Sequence, residues 1–281
     1  MGVKTPRPRR RVPASPRRRV GRSREQEPRV YSTPRGAGVD WFVEAGVAWI
    51  TLNRPARGNR IDQSAAQALC DVAEAIELED NVCVVVVQGS STAFCLGVDD
   101  AGAWEHQHDW VAAVGRLTRP VIAAVNGDAI AEGCELALAC DLRIAVDSAR
   151  FSLPQLALGR LPRHGATQRL PRVVGRMRAL ELLLTGRAVR AGEAAQMGLV
   201  ARIAPGKRFQ AIVREEVAAL CDKGPIALRL AKEAVTKGLD LTLEQGIRLE
   251  QDLYVLLQTT ADRREGIRAF LEKRRPRFRG K

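Results

Sequence analysis

At 281 residues with 46% hydrophobic content, the chain is long enough to bury a sizeable core, in one large domain or two small ones. No apolar run approaches the roughly 18 to 20 residues of a membrane span and no apolar N-terminal stretch suits a secretory signal, so neither membrane insertion nor export is expected. The net charge of +13 would suggest nucleic acid, but residues 1–35 carry Lys4 and eleven arginines against Glu25 and Glu27, which leaves only +3 for residues 36–281.

The basic segment PRPRRRVPASPRRRVGRSR has little to bury, and residues 1–36 are expected to be a disordered Arg/Pro-rich tail. As an arm it allows an RNA or acidic partner or an organelle-targeting role, neither of which is favoured. Its prolines oppose the amphipathic helix that targeting would use. From Val39 to Leu52, WFVEAGVAWITLN predicts two strands joined at Gly46. Apolar residues from Ile61 to Ile76 then recur at helical spacing, and Val82 to Val87 is an apolar run of strand length. The alternation continues with a helix over Trp104–Leu117, a buried strand over Pro120–Val125, a helix over Glu132–Ala139 and a strand over Leu142–Val146. Such order predicts an α/β core with a largely parallel sheet covered on both faces. From His164 onward strands nearly vanish, and helical segments run to Leu271 with breaks near Gly175, Gly186, Gly224 and Gly238. The domain expectation is a core over 37–223 and a helical region over 224–281.

The six cysteines, Cys70, Cys83, Cys95, Cys134, Cys140 and Cys221, stand singly in apolar segments without metal-site or disulfide spacing. They are read as reduced core residues in a cytoplasmic setting, and no metal site is expected. A phosphate-cradling glycine loop and a dinucleotide fingerprint are also missing.

Seven stretches occur in a telling order: ITLNRP (50–55), AFCLGVDD (93–100), AAVNGDAIAEGCELALACD (123–141), RFSLPQLALGRLPRHGATQRL (150–170), LLTGR (183–187), AAQMGLV (194–200) and EGIRAFLEKRRPRF (265–278). Together they resemble the enoyl-CoA hydratase/isomerase (crotonase) superfamily, from about Val39 to Phe278. The resemblance implies a spiral core of repeated strand-strand-helix units, a C-terminal helical region that builds trimers or hexamers, and an acyl-CoA substrate whose thioester enolate is stabilised. CoA then enters as part of the substrate, with no separate cofactor.

Enolate chemistry needs two backbone N–H donors aimed at the developing oxyanion, and the resemblance assigns them to Leu96 and Glu132. It makes Glu135 the general acid/base, a carboxylate near the start of an apolar helix. The second carboxylate position of a hydratase is held by Gln155, whose amide cannot ionise, so hydration by two carboxylates is doubtful and proton shuttling by one is preferred. His164 is a candidate replacement that could titrate near neutrality. Arg163 could face the thioester or an acidic acyl group, Trp104 and Trp110 could wall the acyl pocket beside His106 and His108, and Asp99 has a structural role in the family. Contacts to CoA are expected from Arg54, Arg57, Gly97, Val98 and Lys273. The alternative is a catalytically weakened relative that serves as a subunit or binds RNA through its tail.

Overall fold

The computed structural model describes Arg29–Tyr31, Thr33 and residues 36–99 and 109–281. Most of the Arg/Pro-rich tail, and Asp100, Trp104, His106 and His108, lie outside the described residues.

Strand β1 (Arg29–Tyr31) corrects the expectation that residues 1–36 are wholly without structure. It pairs antiparallel with β2 (Val39–Glu44), and Tyr31 stacks on Trp41 with ring centroids 4.0 Å apart while its hydroxyl donates to Glu79 at 2.5 Å. One aromatic ring and one hydrogen bond thus offset the ordering cost of a short edge segment.

After β2 the chain repeats a strand-strand-helix unit. β3 (Val47–Leu52) returns antiparallel through Gly46, and α1 (Gln63–Leu78) follows, capped by the Asp62 side chain accepting from Ala65 N–H at 2.9 Å. β4 (Val84–Gly89), β5 (Ala93–Cys95) and α2 (Trp110–Gly115) form the next unit, then β6 (Val121–Val125), β7 (Asp128–Ile130) and α3 (Glu132–Ala139), then β8 (Leu142–Val146), β9 (Arg150–Ser152) and α4 (Ala166–Val174). The predicted strand over Val82–Val87 starts two residues later and ends on Gly89. Of the predicted helix over Trp104–Leu117, the described part is helical only from Trp110 to Gly115.

Helices α5 (Arg176–Thr185), α6 (Ala191–Gln196), α7 (Phe209–Cys221), α8 (Pro225–Gly238), α9 (Leu243–Gln258) and α10 (Ala261–Leu271) make the second half mostly helical. Two short strands persist there, β10 (Val189–Arg190) and β11 (Arg202–Ala204), each completing the edge of a sheet.

Among the described residues the larger sheet has order β1-β2-β3-β4-β6-β8-β11, parallel from β3 onward, and the smaller has order β10-β9-β7-β5. The first strand of each later unit therefore joins the large sheet and the second joins the small one, as in the spiral crotonase arrangement. β4, β6 and β8 read as near-continuous Val, Ile and Ala because α-helices and the other sheet cover both their faces. The segments that follow β7 and β9 of the small sheet carry Glu135 and Gln155.

Candidate active site

The site forms where β5, β7 and β9 end and the segments after them converge on the start of α3. Gly133 permits that convergence, since a Cβ there would lie 2.1 Å from the Cys95 carbonyl oxygen. Just ahead, Ala131 adopts φ 52 and ψ −122, a strained conformation for a residue with a Cβ, and its N–H donates to Ser152 O at 2.9 Å. The strain sets the direction in which α3 presents its first free N–H groups, beginning with Glu132.

Glu135 is fully buried on α3. One carboxylate oxygen accepts from His164 N–H at 2.8 Å and Ala166 N–H at 3.2 Å, and the other accepts from the Gln155 amide at 3.3 Å. Burial pushes its pKa up to about 7; the N–H donors of Ala166 and His164 oppose the rise and the nearby Glu132 charge adds to it. A carboxylate at that value exchanges protons readily near neutral pH.

Gln155 enters from the single turn Pro154–Leu158 after β9, where Pro154 fixes the entry. Its side chain is buried, and its Oε1 has no hydrogen-bond partner among the described residues. His164 is buried as well, its ring tilted against Trp110 at 5.2 Å and its Nδ1 3.4 Å from Asp109, the residue that caps α2. Burial lowers its pKa, with the Arg163 charge lowering it further and Asp109 opposing, which favours the uncharged ring. Its Nε2 is also without a partner among the described residues. Two unpaired buried polar atoms beside one buried carboxylate mark a place built for a polar guest.

The N–H assignment to Leu96 is corrected by the backbone. Leu96 N–H donates to Gly58 O at 3.0 Å and is committed. Gly97, at φ +101, reverses the chain, and the next residues bridge to Ile61 through Ile61 N–H to Gly97 O at 3.0 Å and Asp99 N–H to Ile61 O at 2.7 Å. Val98 N–H is thereby turned to the other side, toward α3, where it meets the Glu132 carboxylate at 3.2 Å. Glu132 is buried, and its other oxygen lies 3.9 Å from the Arg160 guanidinium. Val98 N–H and the Glu132 side chain thus meet at the start of α3.

The remaining predicted contacts separate. Arg54 donates to Arg60 O at 2.7 Å and forms ion pairs with Asp62 at 2.8 Å and Asp99 at 3.2 Å, so carboxylates already hold its guanidinium. Arg57 also pairs with Asp99 but keeps an exposed side chain. Arg163 is exposed beside the buried His164, and Lys273 is exposed just past α10. Trp104 lies outside the described residues. Sequence reasoning missed Asp109 and Arg160 and treated Glu132 only through its backbone. The available signal was the three-residue spacing of Glu132 and Glu135, which puts both carboxylates on one face of α3.

Comparison with known proteins places the chain in a family. The enoyl-CoA hydratase/isomerase family profile matches residues 43–281. Bacillus subtilis YngF, which carries the enoyl-CoA hydratase/isomerase name, is 41% identical over 246 residues, covering 83% of this chain and 95% of YngF. The 2,3-dehydroadipyl-CoA hydratase of Escherichia coli is 36% identical over 244 residues, covering 84% of this chain and 96% of that protein. The 1.8 Å crystal structure of enoyl-CoA hydratase from Bacillus anthracis superposes with a TM-score of 0.84 at 36% identity, covering 87% of this chain and all of that one. The chain is therefore an α/β enzyme of the crotonase superfamily. Within that superfamily it belongs to the enoyl-CoA hydratase/isomerase family.

Proposed function

We propose that this enzyme holds the carbonyl oxygen of an enoyl-CoA thioester at the N–H groups of Val98 and Glu132 and moves a proton with Glu135. The observation that carries the reading is the Glu135 environment: a fully buried carboxylate with pKa pushed up to about 7, one oxygen fixed by two backbone N–H groups and the other facing an amide. The fixed oxygen orients the group and the second oxygen does the transfer. Ionised Glu135 takes a proton from the carbon next to the thioester carbonyl, and the electron pair moves onto the oxygen held by the two N–H donors, which form the low-dielectric oxyanion site the reaction needs. Protonated Glu135 then returns the proton two carbons away, which shifts the double bond.

Gln155 supports isomerisation over hydration, because it orients Glu135 but cannot deprotonate a water. His164, with Nδ1 near Asp109 and Nε2 without a partner among the described residues, offers a polar contact for a substrate or water hydroxyl. Arg57 is the better of the two early arginines for a CoA phosphate, since its side chain stays exposed. The helices over 224–281 expose Leu243, Ile247, Tyr254, Val255 and Phe270, an apolar surface suited to a homotrimer or a hexamer. No helix among the described residues is long and apolar enough to cross a membrane, and the six free thiols suit a reducing, cytoplasm-like compartment.

A panel of 2-enoyl-CoA and 3-enoyl-CoA thioesters, assayed by chromatography of products, tests the reading. Double-bond migration that exceeds crotonyl-CoA hydration is expected. Turnover of no panel member would overturn the assignment.

A further inference from the structure

The donor that a thioester would need is already taken. Glu132 Oε2 accepts from Val98 N–H at 3.2 Å, and it lies so near Gly97 that a Cβ there would sit 2.7 Å from the same oxygen. This carboxylate opens α3, three residues before Glu135, and is buried with 4% of its surface exposed. A charged acceptor makes a stronger hydrogen bond to an N–H than a neutral carbonyl does. A thioester oxygen and a carboxylate oxygen cannot both occupy one backbone donor, and as the thioester oxygen gains enolate charge the two anions repel in a site of low dielectric. The Arg160 guanidinium lies on the other side, 3.9 Å from Glu132 Oε1.

We propose that Glu132 is a specificity-determining residue whose carboxylate competes with the thioester oxygen for Val98 N–H and must swing toward Arg160 before an acyl-CoA is held. The inference rests on the enoyl-CoA reading and deepens it. Its consequence is selective. Only ligands with an acyl oxygen to place at Val98 meet the competitor, whereas free CoA, which carries a thiol there, does not. Substrates must bring enough binding energy from the rest of the acyl chain and the CoA moiety to displace an internal anion, so short or weakly held thioesters are discriminated against.

The test uses the full-length protein, Glu132→Ala and Glu132→Gln, with titration calorimetry for affinity and the ultraviolet enolate band of bound acetoacetyl-CoA as a direct view of the oxyanion. Acetoacetyl-CoA should bind Glu132→Ala roughly 10-fold or more tighter than wild type, the scale on which one charge-assisted hydrogen bond acts. Glu132→Gln, which keeps a neutral acceptor of the same size, should fall between them. The enolate band should strengthen in the same order, and free CoA should bind all three proteins alike. A variant that is merely damaged would lose affinity for both ligands. Equal acetoacetyl-CoA affinity in the three proteins, or weaker binding in both variants, overturns the competition. Absence of acetoacetyl-CoA binding from all three removes the enoyl-CoA reading itself, and the inference with it.

Discussion

Glu135→Gln should change the pH dependence of stability as well as the rate. In the folded protein burial lifts the Glu135 pKa from 4.5 to about 7. The folded state therefore keeps this proton while the unfolded state loses it between those values, and linkage makes stability fall as pH rises through that window. Below pH 4.5 the group is protonated in both states and has no effect. Above pH 7 it is ionised in both, and the cost has reached its full size, about 3 kcal/mol at ~1.36 kcal/mol per pKa unit. The introduced amide does not titrate. Its oxygen can accept from the His164 and Ala166 N–H groups, and its NH2 can donate to the Gln155 Oε1 that lacks a partner once the Gln155 amide turns. The variant should thus match wild type near pH 4.5 and exceed it by about 3 kcal/mol at pH 8, an order-of-magnitude figure, while turnover falls about 100-fold or more. Urea unfolding at fixed protein concentration between pH 4.5 and 8 reads the difference. A stability gap that stays flat across this range would refute the buried, raised carboxylate.

Three further outcomes follow from the same contacts. Gln155→Glu adds the missing second carboxylate at nearly unchanged volume, so crotonyl-CoA hydration should rise about 10-fold or more; rapid wild-type hydration that the change does not improve would contradict the role given to Gln155. Ala131→Gly relieves the strained backbone at φ 52 and ψ −122, and the relief, about 1 to 3 kcal/mol, outweighs the entropic cost of glycine. Thermal melting should therefore show a gain of about 1 kcal/mol, and a loss would mean that the site does not hold Ala131 in this conformation. Light scattering on the protein shortened to residue 36 onward should give a trimer or hexamer, because α9 buries no residue within its own chain; a monomer at micromolar concentration would contradict the oligomer.

Helices and strands with strong periodicity were legible in the sequence. Glu132–Ala139 and Leu142–Val146 match their predicted limits, the strand ending where the exposed Asp147 follows. Strand β1 was hidden, since Arg29–Tyr31 lies in a basic stretch and is held by long-range contacts of Tyr31 with Trp41 and Glu79. The meeting of Glu135, Gln155 and His164 followed from the motifs, and the structure joins all three. Two finer points did not follow. The side to which a backbone N–H turns depends on the Gly97 φ and the Ile61 bridge, so Leu96 N–H is committed to Gly58 O while Val98 N–H turns toward α3. The lowered pKa of His164 comes from burial, where its ring lies against Trp110, which side-chain identity alone does not reveal.

Exchange of the proton next to a thioester carbonyl with solvent deuterium tests the central claim most directly, since it reports enolate formation and the proton carrier together. With a saturated or 3-enoyl-CoA, in which the carbon next to the carbonyl bears a removable proton, proton NMR in deuterated buffer should show the wild-type enzyme exchanging it, and Glu135→Gln binding the same thioester without exchange. Exchange undiminished in Glu135→Gln, or none in the wild type while the thioester is bound, would contradict the account.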